Sequence, residues 1–350
     1  MDDPSGTTAV NDRHRFDEGA VAAFLERELP GFRGPATVRQ FAAGQSNPTF
    51  HLAAQSGEYV LRKKPPGALL PSAHAIDREF RVLAALAGSG IPVPRTRLYC
   101  DDAALAGTPF YIMDYVPGRV FADPLLPGSS PAERRAIYDG MNCVLAALHA
   151  FDWAGAGLAD FGKPGKYVER QIARWSKQYT ATRTEHVPSM DKLQRWLEAH
   201  VPENDVTSLV HGDLRLGNLI FHPREPRVVA ILDWELSTLG HPFADLAYGC
   251  INYHLPSGNG TAAGFVGTDI TALGIPAESE YVSAYSRRSG RDASADYPFF
   301  MAFSLFRVAA IQQGVYARSI AGNAASSSAA RFRESYRIVA ETGWRLVCGV

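Results

Sequence analysis

The stretch LVHGDLRLGNLIFHPREPRVVAILDWE, residues 209–235, sets His211, Asp213, Asn218 and Asp233 among apolar and turn-like residues. Burying an unpaired carboxylate is costly. These groups must therefore pair with one another, or a metal ion must neutralise them. Asn-Leu-Ile-Phe and Arg-Val-Val-Ala-Ile-Leu flank His-Pro-Arg-Glu-Pro, which reads as a β-hairpin with a loop of roughly five residues. Pairing symmetric about Glu225-Pro226 would set Asn218 opposite Asp233. An amide oxygen beside a carboxylate is a hard ligand set of the kind Mg²⁺ takes when substrate phosphates and water complete its octahedron. Asp213, on a glycine-containing loop just upstream, would stand before that metal as a base. For any one of these residues alone, a structural cluster capping the hairpin is the plainer reading. The whole set at this spacing favours the metal and the base.

The elements that must position these groups fall into two parts. The runs TVRQF, TFHLAA and EYVLRKK read as strands, with Ser56-Gly57 turning the chain between the second and third. AIDREFRVLAALAGSG reads as an amphipathic helix that stops at Gly88, and PFYIMDYV as a further strand ending at Pro117-Gly118. A helix precedes them in DEGAVAAFLERELP. Beyond Pro117-Gly118 the pattern turns helical. Ser130-Pro131-Ala132-Glu133 reads as a capping box opening the helix that runs to Phe151. Further helices read near 165–180, 189–200, 278–289 and 297–318. The spacing thus implies a polar tail over residues 1–15, a β-rich part over 16–117 and a mainly helical part over 118–350.

Length and composition bound the function. A chain of 350 residues, 46% hydrophobic and 20% charged, is long enough for one large or two ordinary domains with a real core. A net charge of −1 offers no global attraction for nucleic acid or an anionic membrane. The four cysteines lie far apart without a C-x-x-C pair, which argues against a zinc knuckle or a disulfide framework and suits a reducing cytoplasm. No signal peptide is visible at the N-terminus, and FFMAFSLFRVAAI is interrupted by Arg307 and too short to span a bilayer. There is no Walker A, H-E-x-x-H or G-x-S-x-G motif.

HGDLRLGN resembles the H-x-D-x-x-x-x-N catalytic loop of the protein-kinase superfamily, and ILDWE stands in the place of the D-F-G metal-binding aspartate. His-Gly-Asp with Ile-Leu-Asp-Trp-Glu is similar to the aminoglycoside phosphotransferase and choline kinase-like branch. VLRKKPPG, REFRVL, KYVERQIARWSKQY, LSTLGHPFADLAY and FRVAAIQQGVYARS resemble the kinase-like domains related to those fused to acyl-CoA dehydrogenases. The resemblance covers roughly residues 38–325. It implies an α+β, protein-kinase-like two-lobe fold: an N-terminal antiparallel sheet with a helix, then a larger, mainly helical C-terminal lobe. It also implies ATP and Mg²⁺ as cofactors and a small-molecule hydroxyl acceptor. Asp213 would act as the base, and Asn218 and Asp233 would bind the metal. Gly44, Gln45, Ser46 and Asn47 stand where a loop covers the phosphates, although a plain turn between strands reads equally well there. Arg62 aligns with the phosphate-binding cation, and a one-residue shift in register would exchange it for Lys63. Glu79 matches the acid that orients this cation. Met113, Asp114 and Val116 match the interlobe hinge, where adenine would bond backbone groups of Asp114 and Val116. Asp245 and His211 would steady the catalytic loop. Asp160-Phe161-Gly162 precedes that loop by some fifty residues and is a decoy.

The acceptor is read less directly. Lys166, Arg170, Arg174 and Lys177 accompany Tyr167, Trp175 and Tyr179, either as an amphipathic helix with a solvated basic face or as the lining of an anion-binding pocket. The second reading, with the acyl-CoA-dehydrogenase resemblance, points to a hydroxylated acyl compound or its CoA thioester. An aminoglycoside or amino alcohol is the alternative acceptor. Arg307, a charge within an apolar helix, requires a partner, in the site or in a salt bridge. A protein Ser/Thr kinase is disfavoured, because Asp233 and Asp245 leave no room for an activation segment. A non-catalytic nucleotide-binding pseudokinase is disfavoured because Asp213, Asn218 and Asp233 are all intact.

Overall fold

The structure is a computed structural model that describes residues 6–42, 47–66, 75–258, 264–320 and 329–349. Its N-terminal part is a six-stranded antiparallel sheet. The strands are β1 (Thr7–Thr8), β2 (Ala36–Phe41), β3 (Thr49–Ala54), β4 (Gly57–Lys63), β5 (Thr96–Cys100) and β6 (Phe110–Asp114), in spatial order β1-β2-β3-β4-β6-β5. Helix α1 (Glu18–Glu28) covers one face and α2 (Ile76–Leu86) the other, with the short α3 (Ala103–Ala106) beside α1. Because successive side chains in a strand point to opposite faces, β4 and β6 feed two cores. Leu61, Phe110 and Ile112 pack with Val21 and Leu25 of α1. Val60, Tyr111 and Met113 pack with Ile76, Val82 and Leu83 of α2. Arg62 therefore belongs to the α2 face and Lys63 to the α1 face.

The tail reading of residues 1–15 differs from the structure over its described part. Thr7 and Thr8 pair with Phe41 and Gln40, so the segment gains ladder hydrogen bonds that its polar composition does not advertise. β5 was also not read from the sequence. It is a short edge strand with a register shift between Thr96 and Leu98, too irregular to leave a clean alternation.

The helical part contains α4 (Pro131–Ala150), α5 (Tyr167–Thr182), α6 (Pro188–Ala199), α7 (Pro242–Gly249), α8 (Glu278–Ser289), α9 (Tyr297–Ile320) and α10 (Ala329–Cys348). Only half of the capping box at α4 forms. Ser130 Oγ accepts the Glu133 N–H at 3.2 Å, but the Glu133 carboxylate turns to Arg119 at 2.6 Å, where a full charge is available. The centre of this part is α9, buried along most of its length beneath α5, α6, α7 and α10. Helix α10, which the sequence reading passed over, supplies Tyr336, Val339 and Ala340 to the same core. No helix among the described residues is long and apolar enough to cross a membrane. Two small antiparallel ladders sit at the junction with the sheet: β7 (Ser208–Val210) with β10 (Thr238–Gly240), and β8 (Leu219–Phe221) with β9 (Val228–Ile231).

Candidate active site

The loop that carries Asp213 leaves β7 and is fixed from below. Asp245, in the first turn of α7 and 1% exposed, accepts the N–H groups of His211 at 2.5 Å and Gly212 at 2.8 Å. Burial alone would raise the Asp245 pKa. The hydrogen bond of His149 and the Gly212 N–H outweigh burial and hold it below the usual carboxylate value. His211 is fully buried; its Nε2 donates to the Leu232 carbonyl at 2.8 Å, and its Nδ1 accepts the Asp213 N–H at 3.2 Å. That pair of bonds selects one neutral tautomer and ties the loop to the hairpin. Gly212 has φ +86, and a Cβ there would lie 2.8 Å from the Leu236 carbonyl oxygen, so only glycine fits this bend. The Asp213 side chain, 17% exposed, accepts Asn218 Nδ2 at 2.8 Å, and the same nitrogen donates to the Asp213 carbonyl at 2.8 Å.

The hairpin forms, one residue out of the symmetric register. Leu219 pairs with Ile231 and Ile220 with Ala230, then a shift between Ile220 and Phe221 absorbs a residue and pairs Phe221 with Val228. Asn218 consequently faces Leu232, whose N–H donates to the Asn218 carbonyl at 2.8 Å, rather than Asp233. Asp233 instead leaves the ladder in a left-handed conformation, φ 66 and ψ 56, and leads into a 3₁₀ turn over Trp234–Leu236. This conformation is unfavourable for a residue with a Cβ. It delivers the carboxylate to the sheet, where Oδ1 accepts Arg62 Nη2 at 2.8 Å.

Arg62 joins the two parts of the molecule. Its Nε donates to Glu79 Oε2 at 2.7 Å, while Glu79 also accepts Asn47 Nδ2 at 2.7 Å and the Tyr111 hydroxyl at 3.1 Å. Glu79 is 1% exposed, which is incompatible with a solvated helix face. Burial disfavours the Arg62 charge, but Glu79, the Tyr111 oxygen and Asp233 overcome it and hold its pKa above the ordinary value. Lys63 points the other way. Its Nζ donates to the Ala106 carbonyl at 2.6 Å and lies over the rings of Phe16 and Phe50. The alternation at β4 thus decides which cation faces the cleft.

The remaining sequence candidates distribute as follows. Gly44, Gln45 and Ser46 lie outside the described residues. Asn47 is fully buried, and its side chain braces Glu79 rather than facing solvent. Met113 and Asp114 end β6 just before Val116, and the Asp114 N–H is already engaged by the Arg95 carbonyl at 2.9 Å. In the decoy, Asp160 pairs with Arg81, and the buried Phe161 lies under the Arg78 guanidinium, 4.1 Å from ring centre to Cζ. That motif docks α2 against the helical part. On α5, Tyr167, Trp175 and Tyr179 are buried, and Lys166, Arg174 and Lys177 are exposed. Arg170 is spent on the carbonyls of Lys163 and Gly165. The solvated basic face is therefore the reading that fits. Sequence reasoning missed Tyr111, legible as the residue two before Met113 on the same strand face. It also missed Tyr248, one turn after Asp245, whose half-buried phenol interacts with Asp213.

The donor set fits a divalent cation. Asn218 commits its nitrogen to Asp213 and Asp233 commits Oδ1 to Arg62, so Asn218 Oδ1 and Asp233 Oδ2 are the atoms left to face a ligand. Among the described residues no group of three or more His, Cys, Asp or Glu could hold a metal alone. Mg²⁺ needs only one or two protein oxygens when phosphates and water supply the rest.

A sheet with a helix on each face, an arginine–glutamate pair and an aspartate-bearing loop followed by a hairpin ending in Asp233 define a protein-kinase-like fold. The chain matches the APH phosphotransferase enzyme family over residues 37–281 and belongs to it. Members of that family are small-molecule kinases that use ATP with Mg²⁺ and act on hydroxyl acceptors. The chain is 49% identical to acyl-CoA dehydrogenase family member 10 of Mus musculus, across 91% of this chain and 30% of that protein. It is 45% identical to family member 11 of Gallus gallus, across 97% of this chain and 45% of that protein. The chain thus spans less than half the length of these curated relatives. A crystal structure from Ralstonia eutropha JMP134, named for the aminoglycoside phosphotransferases, superposes with a TM-score of 0.88 at 49% identity. That match covers 96% of this chain and 99% of the other.

Proposed function

We propose that this chain transfers the γ-phosphoryl group of ATP to the hydroxyl of an acyl compound or its CoA thioester, with Asp213 as the base. The observation that carries the reading is the placement of Asp213. Asp245 holds the backbone of His211 and Gly212 just before it, His211 accepts its N–H, Asn218 holds its carboxylate, and the Asp233–Arg62–Glu79 chain links the same hairpin to the sheet. Arg62 would meet the phosphates, and Asn218 and Asp233 would hold Mg²⁺. The bound metal supplies neutralisation of phosphate charge. The protein supplies orientation: Asp213 accepts the acceptor's hydroxyl proton as its oxygen is aligned for in-line attack, and positioning contributes most of the acceleration. The acyl reading is supported by the relatives, in which the matching segment belongs to proteins named as acyl-CoA dehydrogenase family members. The name of the Ralstonia protein favours a second reading, an aminoglycoside acceptor. Incubating the purified chain with ATP and Mg²⁺ and hydroxy acids, hydroxyacyl-CoAs, sugars, amino alcohols or aminoglycosides tests both. Formation of a phosphomonoester on the acyl-bearing compounds is expected. Efficient transfer to aminoglycosides alone would overturn the acyl reading.

A further inference from the structure

Arg307 lies in the middle of α9, where its neighbours are almost wholly apolar, and is 6% exposed. Its Nη2 donates to the Gly212 carbonyl at 2.6 Å. Among the described residues its buried Nε has no hydrogen-bond partner and no carboxylate forms an ion pair with it. The guanidinium lies 5.1 Å from the ring centre of Tyr248 and 5.7 Å from that of Trp175. Two aromatic faces and one carbonyl offset only part of the cost of burying a charge. A guanidinium in this state has donor capacity left for an oxygen from outside the chain.

Its position says which oxygen. Gly212 immediately precedes Asp213, and the Tyr248 ring that flanks Arg307 carries the phenol that interacts with Asp213. Leu236, 43% exposed, lies against Gly212 and adds apolar surface at the same loop. A cation, two aromatic walls and an aliphatic side chain surround the approach to the base from the helical side. The basic residues of α5 do not compete for the role, being solvated or spent on carbonyls.

We infer that Arg307 is a specificity-determining residue of the acceptor site, its guanidinium taking the acyl oxygen of the acceptor, a carboxylate or a thioester carbonyl. The inference rests on the kinase reading above and deepens it, because it names the group by which the acceptor is held. Arg307 does not move a proton; it places the acceptor so that its hydroxyl reaches Asp213.

Two matched pairs of ligands without a hydroxyl to phosphorylate test this: hexanoate against 1-hexanol, and hexanoyl-CoA against S-hexyl-CoA. Each is titrated by calorimetry into the full chain with AMP-PNP and Mg²⁺ present. In at least one pair the acyl member should bind about tenfold more tightly than its partner, a difference of about 1.4 kcal/mol. The pair that shows the preference identifies the source of the oxygen. Arg307→Met should abolish the preference, and Arg307→Lys should retain part of it, with AMP-PNP affinity within about twofold of wild type in both. No preference in either pair with wild type, or a preference that persists in Arg307→Met, overturns the assignment. The wild-type comparison stands even if Arg307→Met folds poorly. Failure of wild type to bind AMP-PNP would instead overturn the kinase reading.

Discussion

Glu79→Ala is the substitution whose cost can be worked most fully from the structure. The carboxylate is 2% exposed and accepts Arg62 Nε at 2.7 Å, Asn47 Nδ2 at 2.7 Å and the Tyr111 hydroxyl at 3.1 Å. Its removal strands the Tyr111 hydroxyl, at about 1–3 kcal/mol for a donor left buried and unpaired, and takes one acceptor from Asn47 Nδ2. It also takes the nearer of two carboxylates from a guanidinium that is 10% exposed. Breaking a buried pair by deleting one partner costs about 3–5 kcal/mol. Arg62 keeps Asp233 at 2.8 Å, so no naked charge remains and the lower end of that range applies. The expected loss is about 4 kcal/mol of unfolding free energy in urea at pH 7. A second effect follows from the same geometry. Without Glu79, Arg62 keeps only the Thr49 hydroxyl at 3.2 Å and Asp233 among its side-chain partners in the described residues, and it pulls on the carboxylate proposed to bind Mg²⁺, so AMP-PNP affinity with Mg²⁺ should fall about tenfold or more. Glu79→Gln, which keeps the shape but presents an amide nitrogen to the same donors, should lie between. A loss below about 1 kcal/mol with unchanged nucleotide affinity would refute the reasoning.

Asp233→Ala should abolish Mg²⁺-dependent AMP-PNP binding measured by calorimetry, whereas Asp160→Ala, in the decoy, should leave it intact; equal sensitivity at both would mean that the site is misplaced. His241, 1% exposed, is pushed by burial from the ordinary 6.5 down to about 4. It is neutral in the fold while the unfolded chain protonates, so its contribution to stability is present above pH 6.5 and is lost as pH falls toward 4. At about 1.4 kcal/mol per pH unit this amounts to about 3 kcal/mol. His149, lowered by burial, acts in the same direction. His241→Asn, which keeps an acceptor for the Phe243 N–H, should flatten urea-unfolding free energy between pH 6.5 and 4.5, and an unchanged slope would refute the assignment.

The fold was legible wherever periodicity and local chemistry agreed. The alternation of β4 set Arg62 and Lys63 on opposite faces, but which of the two faces the cleft came from the family resemblance and not from the pattern itself. The hairpin around Glu225 was legible but its register was not, because the shift at Ile220–Phe221 leaves no trace in the hydrophobic pattern. The conformation of Asp233 was invisible for the same reason: nothing local marks an aspartate with positive φ. The α5 pattern was ambiguous in sequence because an aromatic face and a basic face are compatible with either a pocket or a core. Burial decided for the core. Arg307 drew attention as a charge in an apolar helix, but its neighbours Gly212, Trp175 and Tyr248 come from three separate segments that only tertiary packing brings together. The spacing of Tyr336, Val339 and Ala340 is present in the sequence of α10.

The central claim is that Asp213 performs the chemistry while the Arg62–Asp233 side of the site holds the nucleotide. It is tested most directly by comparing wild type with Asp213→Asn on an acceptor identified by the screen, measuring phosphomonoester formation and AMP-PNP affinity on the same preparations. Phosphoryl transfer should fall by roughly 10²–10⁴-fold, the scale of general-base catalysis, with nucleotide affinity nearly unchanged. Near-normal turnover by Asp213→Asn would remove this residue from the mechanism and contradict the account.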